Sequence, residues 1–96
     1  MNRVKVAVVG CGHLGTIHAR LLAARSDAEL VAVVDPLEES RQRVATTHGC
    51  ASLADPLDLV GRADAVVVAA PTCLHADVAL PLLERGLDLL IEKPIA

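Results

Sequence analysis

Three glycines and one acid carry the chemistry this sequence most clearly offers. Gly10, Gly12 and Gly15 follow the spacing G-x-G-x-x-G within Val6-Ala7-Val8-Val9-Gly10-Cys11-Gly12-His13-Leu14-Gly15, and Asp35 lies about 20 residues past the third glycine. Glycines so spaced cradle a diphosphate. The first allows a tight turn, the second lets backbone approach the phosphates, and the third lets the next helix sit close on its strand. The start of that helix offers unpaired N–H groups and partial positive charge to an anion. His13 and Leu14 fall in the same loop and border the diphosphate. A carboxylate at the end of the second strand, Asp35, is the acceptor that ribose hydroxyls need. Cys11 also lies in the loop, near a helix N-terminus, where a thiolate would be favoured. The glycine spacing alone arises by chance; strand before, helix after and acid at the right distance together point to a dinucleotide site.

These residues meet only if the elements between them deliver them to one edge. The sequence predicts a strand over Val4–Val9, then a helix over Leu14–Arg25 with Leu14, Ile17, His18, Leu21, Leu22 and Arg25 on one face. A second strand spans Leu30–Val34. Asp35 caps the next helix and Pro36 takes its first position, and that helix runs to His48 and stops at Gly49. A short third strand falls around Cys50–Ala51, and a brief helix runs from Asp55-Pro56 to Gly61. Strand four is Ala65–Ala70. A helix over Leu74–Arg85, kinked at Pro81, ends at Gly86, and strand five is Leu87–Ile91. Such alternation gives an α/β fold, a doubly wound parallel sheet of about five strands in the Rossmann order 3-2-1-4-5. Gly10–Gly15, Asp35, Pro71-Thr72 and Glu92-Lys93 then share the edge formed by the C-terminal ends of the strands.

Composition narrows the function. The chain has 96 residues, enough for one domain, and 53% of them are hydrophobic, which excludes disorder. Ala, Val, Leu and Ile supply nearly all of that, as suits strands buried on both faces. There is no Phe, Tyr or Trp and the net charge is −3. Base stacking and phosphate-backbone tracking, and hence nucleic-acid binding, are therefore not expected. The longest wholly apolar run, Ala65–Pro71, is far short of a membrane span. Cys11, Cys50 and Cys73 form no C-x-x-C and fit a reducing cytoplasm, each most simply a small buried apolar residue. No histidines or acids have metal-ligand spacing, so no metal is expected. His48 reads as a helix-end residue.

Three segments resemble the glucose-fructose oxidoreductase/inositol dehydrogenase (Gfo/Idh/MocA) family. They are Gly10-Cys11-Gly12-His13-Leu14-Gly15-Thr16-Ile17-His18, Ala69-Ala70-Pro71-Thr72-Cys73-Leu74-His75 and Glu92-Lys93-Pro94. The family reads these as G-x-G-x-x-G-x-x-H, A-T-P-x-x-x-H and E-K-P. The resemblance implies that Lys93 is the catalytic lysine, polarising or protonating the oxygen on the carbon that exchanges hydride, and that Glu92 faces the nicotinamide ribose. It places Ala70, Pro71, Thr72 and His75 at the cofactor. Ala70 stands where the family often has Thr, which removes one hydroxyl, whereas Thr72 retains one where Asn is frequent. His18 and His75 match family positions; His18 reads most simply as structural. A cis Lys93–Pro94 bond is implied as well.

The resemblance implies an NAD(P)-dependent oxidoreductase acting on a sugar, polyol or related hydroxy compound. It covers only the family's N-terminal portion, so the final Rossmann strand and the C-terminal substrate domain are expected to be absent and the isolated chain to be inactive. Asp35 followed by Pro36 favours NAD over NADP, because a carboxylate there repels a 2′-phosphate. Strand five, guarded only by Asp88, is expected to build a homo-oligomer through itself or its flanking helices. Two alternatives stand beside this reading. One is an NAD(H)-sensing module without catalysis; the other is an adenosylmethionine-dependent transferase. Glu92-Lys93-Pro94 argues against both.

Overall fold

Wholly apolar, β-branched runs build the centre of the molecule. The computed structural model describes residues 3–69, 81, 82 and 84–91. Five strands, β1 (Val4–Val9), β2 (Ala28–Val34), β3 (Ala51–Leu53), β4 (Ala65–Val68) and β5 (Asp88–Ile91), form one parallel sheet in the order β3-β2-β1-β4-β5. This is the predicted topology. Two α-helices are described in full, α1 (His13–Ala23) and α2 (Glu38–His48), with a 3₁₀ turn at Pro56–Leu59.

Alternation along the strands sends side chains into two cores. Val6 and Val8 of β1 join Val33 and Val67 beneath Ala19 of α1 and Val44 and Ala45 of α2. Ala7 and Val9 join Ala32, Val34, Val66 and Val68 on the opposite face, covered by Leu59, Leu82 and Leu87. Fully burying a valine contributes about 1.5–3 kcal/mol, so the two faces together hold the sheet rigid.

One irregularity sets the register. The β1–β2 pairing passes from Val6↔Leu30 to Ala7↔Ala32, leaving Val31 as an extra residue. A one-residue slip exchanges the faces of a strand. Accordingly Leu30 packs with one core, while Val31 and Ala32 both pack with the other. Beyond this bulge Val34 stands opposite Val9, so Asp35 leaves β2 level with Gly10.

Several expected boundaries shift. β2 starts earlier, at Ala28, because the parallel ladder with β1 extends to Val4. α1 begins at His13 and ends at Ala23, where Ala24 and Arg25 close the turn by donating to Arg20 and Leu22 carbonyls. Its buried face is also different. Gly15 and Ala19 press on the sheet, while Leu21 is 55% exposed and Arg25 is exposed. Small residues win that face because they allow the backbone closest to the strands. α2 starts at Glu38, not Pro36, with Leu37 as its N-cap, and the Asp35 Oδ1 accepts from the Leu37 N–H just before the first turn. Gly49 ends α2 in the left-handed conformation, φ 68°. The third strand is Ala51–Leu53, β4 closes at Val68, and β5 opens at Asp88 rather than Leu87. Asp55 caps the 3₁₀ turn by accepting from the Leu57 N–H at 2.9 Å. Residues 81, 82 and 84 are helical; the remainder of the predicted Leu74–Arg85 helix, including residues 74–80 and 83, lies outside the described residues.

Candidate functional site

The ends of β1, β2 and β4 form a level rim. Val9 pairs with both Val34 and Val68, and Val68 in turn pairs with Ile91 at the end of β5. The chain leaves β1 at Gly10, whose N–H donates to the Val34 carbonyl at 2.7 Å. It leaves β2 at Asp35, whose N–H donates to the Leu53 carbonyl at 3.2 Å, and β4 at Ala69, whose N–H donates to the Val9 carbonyl at 2.8 Å.

The glycines divide the work of the turn. Gly10 has φ 102°, a conformation open to glycine and strained for other residues. Gly15 presses against the Gly10 carbonyl so closely that an added Cβ would overlap its oxygen. Gly12 is different, because a Cβ built there meets nothing within 4 Å and its φ of −76° suits any residue. No fold requirement explains a glycine at that position, and the open space is what an approaching ligand needs. Thr16 N–H donates to the Gly12 carbonyl at 2.9 Å as the first intrahelical bond. The amides before it, from Gly12 to Gly15, therefore have no acceptor within the helix. His13 is exposed and Leu14 half-buried beside them.

Asp35 is tied to this turn. Its Oδ2 accepts from the Cys11 N–H at 2.7 Å and its Oδ1 from the Leu37 N–H at 2.8 Å. Each oxygen keeps a further lone pair for a hydroxyl donor. Two arginines of α2 surround the same loops. Arg41, with its side chain 16% exposed, donates from Nη1 to the Asp35 and Pro36 carbonyls at 3.3 and 3.4 Å. Arg43 donates from Nη2 to the Cys11 carbonyl at 3.3 Å. Arg43 does not stand out in the sequence, because a side-chain bond to backbone 32 positions away leaves no local pattern.

The expected thiolate at Cys11 is overturned. Its side chain is buried, and the thiol points at the Val34 carbonyl, 3.8 Å from Sγ. Burial, then the Asp35 carboxylate, push its pKa up to about 11, against the weaker pull of Arg43 and Arg41. Burial also raises the Cys50 thiol. Cys11 should therefore resist iodoacetamide at about pH 8 in the folded chain and react freely in urea, as read by peptide mapping. Because the folded-state pKa is raised, the neutral thiol's contribution to stability is complete below about pH 9 and is lost as pH climbs toward about 11. Rapid labelling of folded Cys11 would contradict this.

Ala70, Pro71, Thr72, Cys73, His75, Glu92 and Lys93, and with them the Lys93–Pro94 bond, lie outside the described residues. The described structure brings Gly10, Gly12, His13, Leu14, Gly15 and Asp35 to the rim, and His18 sits half-buried on α1. Among the described residues no cluster of three His, Cys, Asp or Glu could hold a metal ion, and no helix is long and apolar enough to cross a membrane.

Comparison with known proteins bears on the whole chain. The profile of an oxidoreductase family with an NAD-binding Rossmann fold, Gfo/Idh/MocA, matches residues 4–96. An inositol 2-dehydrogenase from Saccharopolyspora erythraea is 41% identical over 98% of the chain, which covers 29% of that enzyme. A myo-inositol dehydrogenase from Corynebacterium glutamicum superposes with a TM-score of 0.87 at 38% identity, over 97% of this chain and 28% of that one. The WlbA dehydrogenase of Bordetella pertussis, solved with NADH and UDP-GlcNAcA, superposes with a TM-score of 0.89 at 30% identity, over 99% of this chain and 30% of that one. The chain thus spans less than a third of the length of these relatives.

Proposed function

The chain belongs to the Gfo/Idh/MocA oxidoreductase family, with its NAD-binding Rossmann fold, and from that premise we propose that residues 1–96 are the cofactor-binding domain of a dehydrogenase that moves hydride to or from a sugar, polyol or related hydroxy compound. The observation that carries this reading is the Cys11 N–H on the Asp35 carboxylate at 2.7 Å, which joins the glycine turn to the acid at the end of β2. Gly10, Gly12, His13, Leu14 and Gly15 would hold the pyrophosphate, and the open space at Gly12 fits it. Asp35 would accept from the adenosine ribose through the lone pairs its two backbone bonds leave free. Ala70, Pro71, Thr72, His75 and Glu92 would line the nicotinamide end. The bound cofactor supplies the hydride acceptor or donor. Lys93 would hold or release the proton of the substrate oxygen, and a lysine beside a cationic ring has its proton loosened. Inositol and nucleotide-sugar dehydrogenases among the relatives support a polyhydroxylated substrate.

NAD is the preferred cofactor on this reading. Asp35 cannot swing away from a 2′-phosphate without giving up two backbone bonds, and charge-assisted bonds of this kind contribute about 1.5–3 kcal/mol each. Free thiols at Cys11 and Cys50 support a reducing, cytoplasmic setting. A homo-oligomer through β5 or its flanking helices is proposed as well, supported by the place of β5 at one end of the sheet. Titration calorimetry with NADH, NADPH and adenosylmethionine tests the assignment, and light scattering on the same sample tests the assembly. NADH is expected to bind at least about tenfold more tightly than NADPH, a difference of about 1.4 kcal/mol. Equal or tighter NADPH binding would refute the preference, and binding of adenosylmethionine in place of NADH would refute the function.

A further inference from the structure

Cys11 serves the rim through its backbone, not its thiol. Its N–H is held by Asp35 Oδ2 at 2.7 Å. Its carbonyl oxygen accepts from Arg43 Nη2 at 3.3 Å, while the Thr16 hydroxyl nearby, 3.4 Å away, donates at 2.7 Å to the Gly12 carbonyl. Arg43 lies on α2, 32 positions along the chain, so this bond fastens α2 to the glycine turn. The carbonyl that Arg43 holds belongs to the same peptide unit as the Gly12 N–H. That unit is planar and trans, so its C=O and N–H point in opposite directions. Holding the oxygen toward Arg43 therefore directs the Gly12 N–H away from it. Donation to the carbonyl also draws electron density off the nitrogen and makes that N–H a stronger donor. Gly12 is also the residue where an added Cβ would meet nothing within 4 Å, so the side-chain direction at this turn is open.

We propose that Arg43 is a positioning residue for the pyrophosphate: through the Cys11 carbonyl it sets the direction and donor strength of the Gly12 N–H. The proposal rests on the dinucleotide reading of the rim. Arg43 is exposed, and a single long bond from an exposed arginine adds little to folding. Its effect belongs to ligand binding, where one misdirected donor is felt. Arg41 works differently, since it holds the carbonyls of Asp35 and Pro36 and never reaches the glycine turn in the hydrogen bonds described above.

The test compares the unaltered chain with Arg43→Met, which keeps the stem but no donor, and with Arg43→Lys. Titrations use NADH, ADP-ribose and adenosine, and amide exchange of Gly12 is followed without ligand. Arg43→Met is expected to bind NADH and ADP-ribose about 5- to 10-fold more weakly and adenosine equally well, with faster Gly12 exchange and an unchanged melting temperature. Arg43→Lys should recover most of the loss. NADH affinity unchanged in Arg43→Met overturns the proposal, and so does an equal loss for adenosine. A loss that vanishes at about 0.5 M salt also overturns it, by placing the guanidinium on the phosphates themselves. Failure of the unaltered chain to bind NADH or ADP-ribose would instead overturn the dinucleotide reading, and the Gly12 exchange rates would still decide whether Arg43 orders the turn.

Discussion

Gly12→Ala should leave the fold intact and weaken NADH binding roughly 100-fold, a loss of about 2.7 kcal/mol, while Gly15→Ala should destabilise the fold by about 3 kcal/mol. The two positions belong to one motif and differ in what surrounds them. At Gly15 a Cβ would overlap the Gly10 carbonyl oxygen, which is backbone and cannot rotate aside. Alanine normally gains about 1 kcal/mol over glycine inside a helix. That gain is smaller than the cost of moving α1 off β1, where Gly15 and Ala19 form the buried face. At Gly12 the balance reverses. The backbone is in an ordinary extended conformation and a Cβ meets nothing within 4 Å. Alanine there narrows the unfolded ensemble and should raise stability slightly, by about 0.4–1 kcal/mol. The new methyl group occupies the approach to the glycine turn, so its penalty falls on the ligand. Thermal melts and NADH titrations of both variants separate the effects. Wild-type NADH affinity in Gly12→Ala would show that the pyrophosphate lies elsewhere.

Much of the architecture was legible because its signals are local. Wholly apolar, valine-rich runs such as Ala65–Ala70 and Leu30–Val34 mark buried strands, and the glycine spacing marks the turn between β1 and α1. Strand order followed from short connections and right-handed crossovers. Features decided by distant partners were not legible. The stripe Leu14, Ile17, His18, Leu21, Leu22 and Arg25 reads as a core face; Leu22 does pack against the core, but the fully buried positions of α1 are Gly15 and Ala19, because close helix–strand approach selects small residues. The Val31 bulge is invisible in a run of five apolar residues, although it decides which of them faces which core. Asp35 reads as a helix cap by its position before Pro36, and its Oδ1 does take the Leu37 N–H at the entry to α2, but the reach of Oδ2 to Cys11 was not legible. The Cys11 thiol reads as activated from its place near a helix start, and burial reverses that. Arg43 carried no signal, since its partner is a carbonyl on another loop.

Replacing Asp35 should alter cofactor choice more than any other single change. In Asp35→Ala the ribose loses its acceptor, and the Cys11 and Leu37 amides lose theirs. The Leu37 amide is exposed and water can replace its acceptor, whereas Cys11 is buried and its amide is left unpaired, so folding should lose about 2–3 kcal/mol. NADH affinity should fall roughly 100-fold, by about 2.7 kcal/mol. NADPH should not follow it down, because the carboxylate that repels a 2′-phosphate is gone while Arg41 and Arg43 remain beside the loop. The preference for NADH should therefore vanish or invert. Asp35→Asn separates charge from shape. Its single carbonyl oxygen can satisfy the Cys11 or the Leu37 N–H, and its amide group then faces the other donor, so the turn loosens. The neutral side chain no longer repels a phosphate, and the NADH-to-NADPH affinity ratio should drop even if part of the ribose contact survives. Calorimetry with both cofactors on both variants reads this ratio directly. A ratio in Asp35→Asn equal to that of the unaltered chain would mean that the charge of Asp35 does not discriminate between the two dinucleotides, and that the shape of the loop held by Arg41 does.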